Sequence, residues 1–141
     1  NSISGIITSP PYLCMPDYTL GQRLSYYWLF PKKLKEDFKN EIGSRRSRTQ
    51  KESALDEYIE SMRLFARNSA RLLKKNGFIA TIIGEPLALA YKEKKILDKL
   101  DEIFLEEGLE LFWSTYRPIS WHRNHGYARL KEERIAVHIK K

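Results

Sequence analysis

The sequence predicts an α/β fold, half of a doubly wound sheet, from three observations. Short β-branched apolar runs occupy 3–8 and 78–83, two amphipathic patterns of helical period occupy 53–76 and 91–107, and two strand-like segments close the chain at 109–116 and 134–139. Strand, helix, strand, helix and a closing strand pair is the order in which such sheets are wound.

The first run, Ile3 to Thr8, reads as a buried strand that must stop at Ser9-Pro10-Pro11-Tyr12. Neither proline has an N–H for a sheet ladder, both fix φ near about −65°, and Pro11 pushes Pro10 away from helical geometry. A rigid extended corner results. It holds the Ser9 hydroxyl, the Ser9 and Pro10 carbonyls and the Tyr12 ring at the carboxyl end of the strand, where open α/β sheets bind ligands.

A helix is suggested by Leu20 to Leu29, with Asp17 either capping it or, with Tyr18, lining a pocket. Tyr26, Tyr27 and Trp28 read as core side chains rather than stacking platforms. Lys32, Lys33, Lys35, Lys39, Arg45, Arg46 and Arg48 concentrate positive charge after the corner, and 43–51, with no apolar side chain, reads as a mobile surface loop.

From Ser53 the residues Leu55, Tyr58, Ile59, Met62, Phe65, Ala66, Leu72 and Leu73 recur at three- and four-residue steps, with Ser53 as N-cap and Gly77 as the left-handed terminator. The almost wholly apolar 78–83 then reads as a strand covered on both faces. Ile96, Leu97, Leu100, Ile103 and Phe104 form the inward face of the second helix, which Gly108 stops. Pro118 breaks the next strand.

The 141 residues make one domain at most, and no run is apolar enough for a membrane span. A single cysteine, Cys14, excludes an internal disulfide and a cysteine-based metal site; it reads as a small buried apolar residue and points to a reducing, cytoplasmic setting. His122 and His125 lack a second ligand pair, so no metal is expected, and their tract reads as a surface loop, or as an edge loop that meets nucleic acid through Arg117, Arg123 and Arg129. His138, within the last strand, reads as a satisfied structural residue. The net charge of +7 suits a polyanionic partner.

The run Thr8-Ser9-Pro10-Pro11-Tyr12 resembles the motif of S-adenosylmethionine-dependent amino-methyltransferases of DNA, in the form most like the cytosine-N4 branch. Asp17-Tyr18, the segment ending in Trp28-Leu29, the helix closing in Leu72-Leu73-Lys74-Lys75-Asn76-Gly77 and the strand after it follow in the order such proteins show. The resemblance implies a partial Rossmann-like methyltransferase fold, the catalytic-motif half with its closing antiparallel pair, spanning 1–141. It implies that Ser9 and the Pro10 carbonyl accept hydrogen bonds from the target amine, that Pro11 stiffens the corner, and that Tyr12 stacks on a flipped base. Asp17, Tyr18, Arg45, Arg46 and Arg48 become candidate substrate contacts.

Such an enzyme also needs a glycine-rich turn for the cofactor. The glycines here, at 5, 21, 43, 77, 84, 108 and 126, never stand two apart, so of the cofactor site only Thr8 is expected within the chain. With Asn1 in first position, the chain is expected to be a fragment whose cofactor-binding half lies before or after it. DNA is the expected partner, with RNA as the alternative: similar corners occur in enzymes that methylate guanine amines of tRNA, though usually with Asp in the position of Ser9. A non-catalytic nucleic-acid-binding module is the third possibility.

Overall fold

In the computed structural model, residues 2–14, 17–43, 53–84, 95–119 and 132–141 are described. Strand β1 (Ile3–Thr8) leads through the proline corner to three short helices, α1 (Tyr18–Gly21), α2 (Arg23–Leu29) and α3 (Leu34–Asn40). The long helix α4 (Ser53–Leu72) runs directly into β2 (Leu73–Gly84), followed by α5 (Ile96–Glu106), β3 (Leu109–Pro118) and β4 (Glu132–Lys140). The four strands form one sheet in the order β1-β2-β4-β3. β1 and β2 are parallel, and β4 pairs antiparallel with both β2 and β3. The sequence thus anticipated a mixed α/β sheet with a closing antiparallel pair, although not that the last strand inserts between β2 and β3.

The core lies between the sheet and the apolar stripes of α4 and α5. Leu55, Tyr58, Met62, Ala66 and Ala70 of α4 meet Ile96, Leu97, Leu100, Ile103 and Phe104 of α5 over Ile79 and Ile83 of β2. Outside that stripe the two helices are joined by ion pairs from Arg63 to Glu106 and from Arg67 to Glu107. Helix α4 ends at Leu72, four residues earlier than its pattern predicts, because Leu73 already pairs with Ile3 of β1. Lys140 donates to the carbonyls of Ala70 and Leu73 at 2.6 and 2.8 Å, satisfying acceptors that a helix end leaves open. The left-handed residue is Asn76 (φ 60°), not Gly77. Gly77 is required for a different reason: a Cβ there would stand 2.8 Å from the Lys74 carbonyl oxygen and 3.2 Å from that of Ser4. Leu72 turns outward and is exposed. Gly108 does end α5, with φ 78°.

Two further expectations are corrected. Among the described residues, strand β2 is not covered on both faces. Ile79, Thr81 and Ile83 are buried under the helices, whereas Phe78, Ala80 and Ile82 face the other way and keep substantial exposure. Their sheet partners Ile7, Ile135, Val137, Ile139 and Trp113 continue an apolar surface, with Ile7 77 % exposed. Nor do the aromatics of α2 form core: Trp28 is 87 % exposed and Tyr27 is open as well, while Tyr26 is half-buried and donates to Asp37 at 2.8 Å. The pattern misled because an aromatic cluster marks apolar surface without saying whether this chain covers it. Pro118 closes β3 as its last paired residue, opposite Glu132.

Candidate active site

The corner sits where the topology places it, at the carboxyl ends of the neighbouring parallel strands β1 and β2. Thr8 pairs with Thr81 in the last register position of β1, and the chain then leaves the sheet at Ser9. Ser9 is exposed, Thr8 and Pro11 are half-buried, and Pro10 is buried. Tyr12 turns back into the core and is only 9 % exposed.

The corner is held from several directions. Tyr58 of α4 donates its phenol to the Pro11 carbonyl at 3.0 Å. Burial raises the Tyr58 pKa, so this donor stays protonated. Cys14, buried and left-handed with φ 59°, donates its N–H to the Gly43 carbonyl at 2.8 Å. Gly43 is left-handed too (φ 69°), and a Cβ on it would stand 2.8 Å from the Tyr12 carbonyl oxygen. The start of the expected mobile loop is thus packed against the back of the motif.

Four side chains meet in front. The Ser9 hydroxyl lies 3.1 Å from Tyr12 Oη and 3.2 Å from the Ile82 carbonyl oxygen. Tyr12 Oη donates to Glu133 Oε1 at 2.8 Å. Glu133 in turn receives Arg117, with Nε 2.7 Å and Nη2 2.5 Å from Oε2. Burial, with the neighbouring Glu133 carboxylate, pushes the Tyr12 phenol up to about 12 although the Ser9 bond works against it. The β-ladder explains the meeting. Glu133 lies opposite Gly84 of β2 on one side and Arg117 of β3 on the other, at the amino end of β4 and beside the carboxyl end of β2.

Glu133 was missed by sequence reasoning, as was Tyr58 in its hydrogen-bonding role. No local signal marks Glu133, which lies 121 residues from Tyr12. Arg117, named with the possible nucleic-acid edge loop, lies in β3 and is the ion-pair partner of Glu133. Asp17 stands at the start of α1 in an extended conformation, with no capping bond from its side chain. That part falls to Glu41, whose Oε1 accepts from the N–H groups of Tyr18 and Thr19 at 2.5 and 3.4 Å. Tyr18 is exposed. Arg45, Arg46, Arg48, Arg123, Arg129, His122 and His125 lie outside the described residues. Cys14 is buried, in keeping with its small-apolar reading.

Among the described residues no group of three His, Cys, Asp or Glu side chains is placed to hold a metal ion, and no helix is long and apolar enough to cross a membrane. No protein-family model and no curated protein matches the chain. Solved structures do. The protein TTHA0409 of Thermus thermophilus, provisionally assigned as a DNA modification methylase and solved with S-adenosyl-L-methionine, superposes with a TM-score of 0.52 at 14 % identity, over 99 % of this chain and 46 % of that one. The fold is shared. A selenomethionine form of TTHA0409 gives 0.47 at 16 % identity over 99 % and 45 %, and an M1.HpyAVI–SAM complex gives 0.37 at 13 % over 58 % and 39 %. The chain therefore spans about half the length of TTHA0409.

Proposed function

We propose that this chain is the target-base half of an S-adenosylmethionine-dependent DNA methyltransferase, with cytosine N4 as the acceptor. The observation that carries the reading is the corner itself: an exposed serine hydroxyl and a proline carbonyl, fixed on a rigid backbone at the carboxyl ends of two parallel strands. An exocyclic base amine is a poor nucleophile because its lone pair is delocalised into the ring. Two fixed acceptors on its protons hold the nitrogen toward tetrahedral geometry and stabilise the positive charge that grows there during methyl transfer. Ser9 Oγ and the Pro10 carbonyl are those acceptors. Pro11 and Tyr58 hold the backbone still, and Tyr12, buried behind the corner rather than open for a base to stack on, holds Ser9 through its hydroxyl.

The residues of this chain do not by themselves fit the cofactor. No glycine-rich turn is present, and Thr8 alone stands beside the motif on that side. When bound, S-adenosylmethionine would supply the methyl group, and its site would be built by the half of the parent protein outside this chain. Two observations support that division. The chain spans about half of TTHA0409, and the sheet face formed by Ile7, Phe78, Ala80, Ile82, Val137 and Trp113 is apolar and uncovered among the described residues. The missing half would cover it.

DNA is favoured as substrate by TTHA0409's assignment, by the net charge of +7 and by the exposure of Tyr27 and Trp28 beside Arg23, Lys32, Lys33 and Lys35. Aromatic faces among cations suit a nucleic-acid strand. Arg45, Arg46 and Arg48 would track phosphates, and Asp17 and Tyr18 would line the base pocket.

The test is transfer of labelled methyl groups by the full-length parent protein, with DNA and tRNA in competition. Transfer to cytosine in DNA, abolished by Ser9→Ala and reduced by Tyr12→Ala, is the expected result. Undiminished transfer in both variants overturns the assignment of the corner. Preference for tRNA overturns DNA as substrate.

A further inference from the structure

We propose that Glu133 is a positioning residue that sets the direction of a hydrogen-bond chain from Arg117 through Tyr12 to Ser9, so that Ser9 meets its ligand as an acceptor. The inference rests on the proposed function for the identity of that ligand and on hydrogen-bond counting for everything else.

A tyrosine hydroxyl has one proton and a carboxylate has none. At 2.8 Å from Glu133 Oε1, Tyr12 Oη donates its proton there, and Arg117, which can only donate, contacts Oε2 from the other side. Tyr12 Oη is then an acceptor toward Ser9. The Ser9 proton has two inward destinations, Tyr12 Oη at 3.1 Å and the Ile82 carbonyl at 3.2 Å, and both are acceptors. Whichever it takes, the proton points into the protein and the oxygen lone pairs point out.

That polarity is what an amine substrate needs. A serine hydroxyl is otherwise ambidextrous, and one that turned its proton outward would repel an amine N–H instead of accepting it. The side chain of Glu133 is only 14 % exposed, so water competes little for its oxygens, and a chain of aligned bonds ending on a charge polarises each of its members. As positive charge grows on the target nitrogen, the chain responds in the stabilising sense. Uncharged Gln in place of Glu133 has nearly the same shape, but its amide can present N–H to Tyr12, which turns the Tyr12 proton toward Ser9 and leaves the Ile82 carbonyl as the single inward destination for the Ser9 proton.

The experiment uses the full-length parent with Glu133→Gln, Ser9→Ala and the double variant, with Glu132→Gln as a control on the exposed neighbour. Single-turnover methyl transfer to DNA should fall about tenfold or more in Glu133→Gln, as expected for one charge-assisted bond, with KM for DNA unchanged. In the Ser9→Ala background the same substitution should have little further effect, because it acts through Ser9. Equal losses in both backgrounds, or wild-type rates in Glu133→Gln, overturn the inference. A second readout needs no catalysis: the ¹³C resonance of Tyr12 Cζ at neutral pH, identified with Tyr12→Phe, should move upfield in Glu133→Gln and stay put in Glu132→Gln. An unmoved resonance overturns the chain whatever the substrate is. If the wild type transfers no methyl to DNA but the resonance moves, the polarity stands and the functional reading fails.

Discussion

Replacing Asp101 with Ala should destabilise this fold, because Asp101 joins α5 to β4 through the buried side chains of Arg134 and His138. Its Oδ2 receives Arg134 Nη2 at 2.8 Å and its Oδ1 receives His138 Nε2 at 3.0 Å. His138 is 1 % exposed, lies under the Phe104 ring with centroids 4.5 Å apart, and has no partner for Nδ1 among the described residues. Removing one member of a buried pair costs about 3–5 kcal/mol, chiefly because the other charge is left unpaired. Asp101 is itself about a quarter exposed, and screening there reduces the expected loss to about 2–3 kcal/mol. At roughly 4 °C per kcal/mol for a domain of this size, the Tm should fall by about 8–12 °C. Urea unfolding should show a lower midpoint at unchanged slope, and Arg134→Met in the same chain should recover most of the loss by removing the stranded charge. Burial pushes the Asp101 carboxyl up, but the bonds and charges of His138 and Arg134 outweigh it and hold the pKa below the ordinary range. Its contribution is therefore complete above the unfolded value, near about 3.9, and is lost as pH falls through the lower folded value. The acid limb of the stability curve should be shallower in Asp101→Ala. A loss below about 0.5 kcal/mol at neutral pH, or an unchanged acid limb, would refute the idea that this cluster pins α5 to the sheet.

Two other outcomes are expected. Gly43→Ala should cost about 1–3 kcal/mol in urea unfolding, since it places a Cβ against the Tyr12 carbonyl at a left-handed φ, and should slow methyl transfer in the parent protein; a neutral result would mean that this loop does not brace the corner. Trp28→Ala should leave stability within about 0.5 kcal/mol yet weaken DNA binding in a fluorescence titration, whereas a large loss of stability would show that Trp28 is packed against the rest of the protein.

Much of the fold is legible along the chain because its signals are local. Two prolines end β1 whatever surrounds them. The three- and four-residue spacing from Leu55 to Ala70 marks the buried stripe of α4, and Gly108 ends α5 by its own conformational freedom. The same logic fails at α4's end, where pairing between Leu73 and Ile3 overrides helix propensity. It also fails at Trp28 and Phe78, whose exposure depends on what else is packed nearby.

The proline corner, its serine and tyrosine, and the kind of element on either side are written in the residues themselves, because each follows from backbone chemistry within a few positions. What Ser9 faces is a matter of how the strands assemble. The insertion of β4 between β2 and β3 brings Glu133 beside the corner and Arg117 beside Glu133. Strand order and register are set by burial summed over the whole sheet, so no stretch of sequence near Ser9 carries that information.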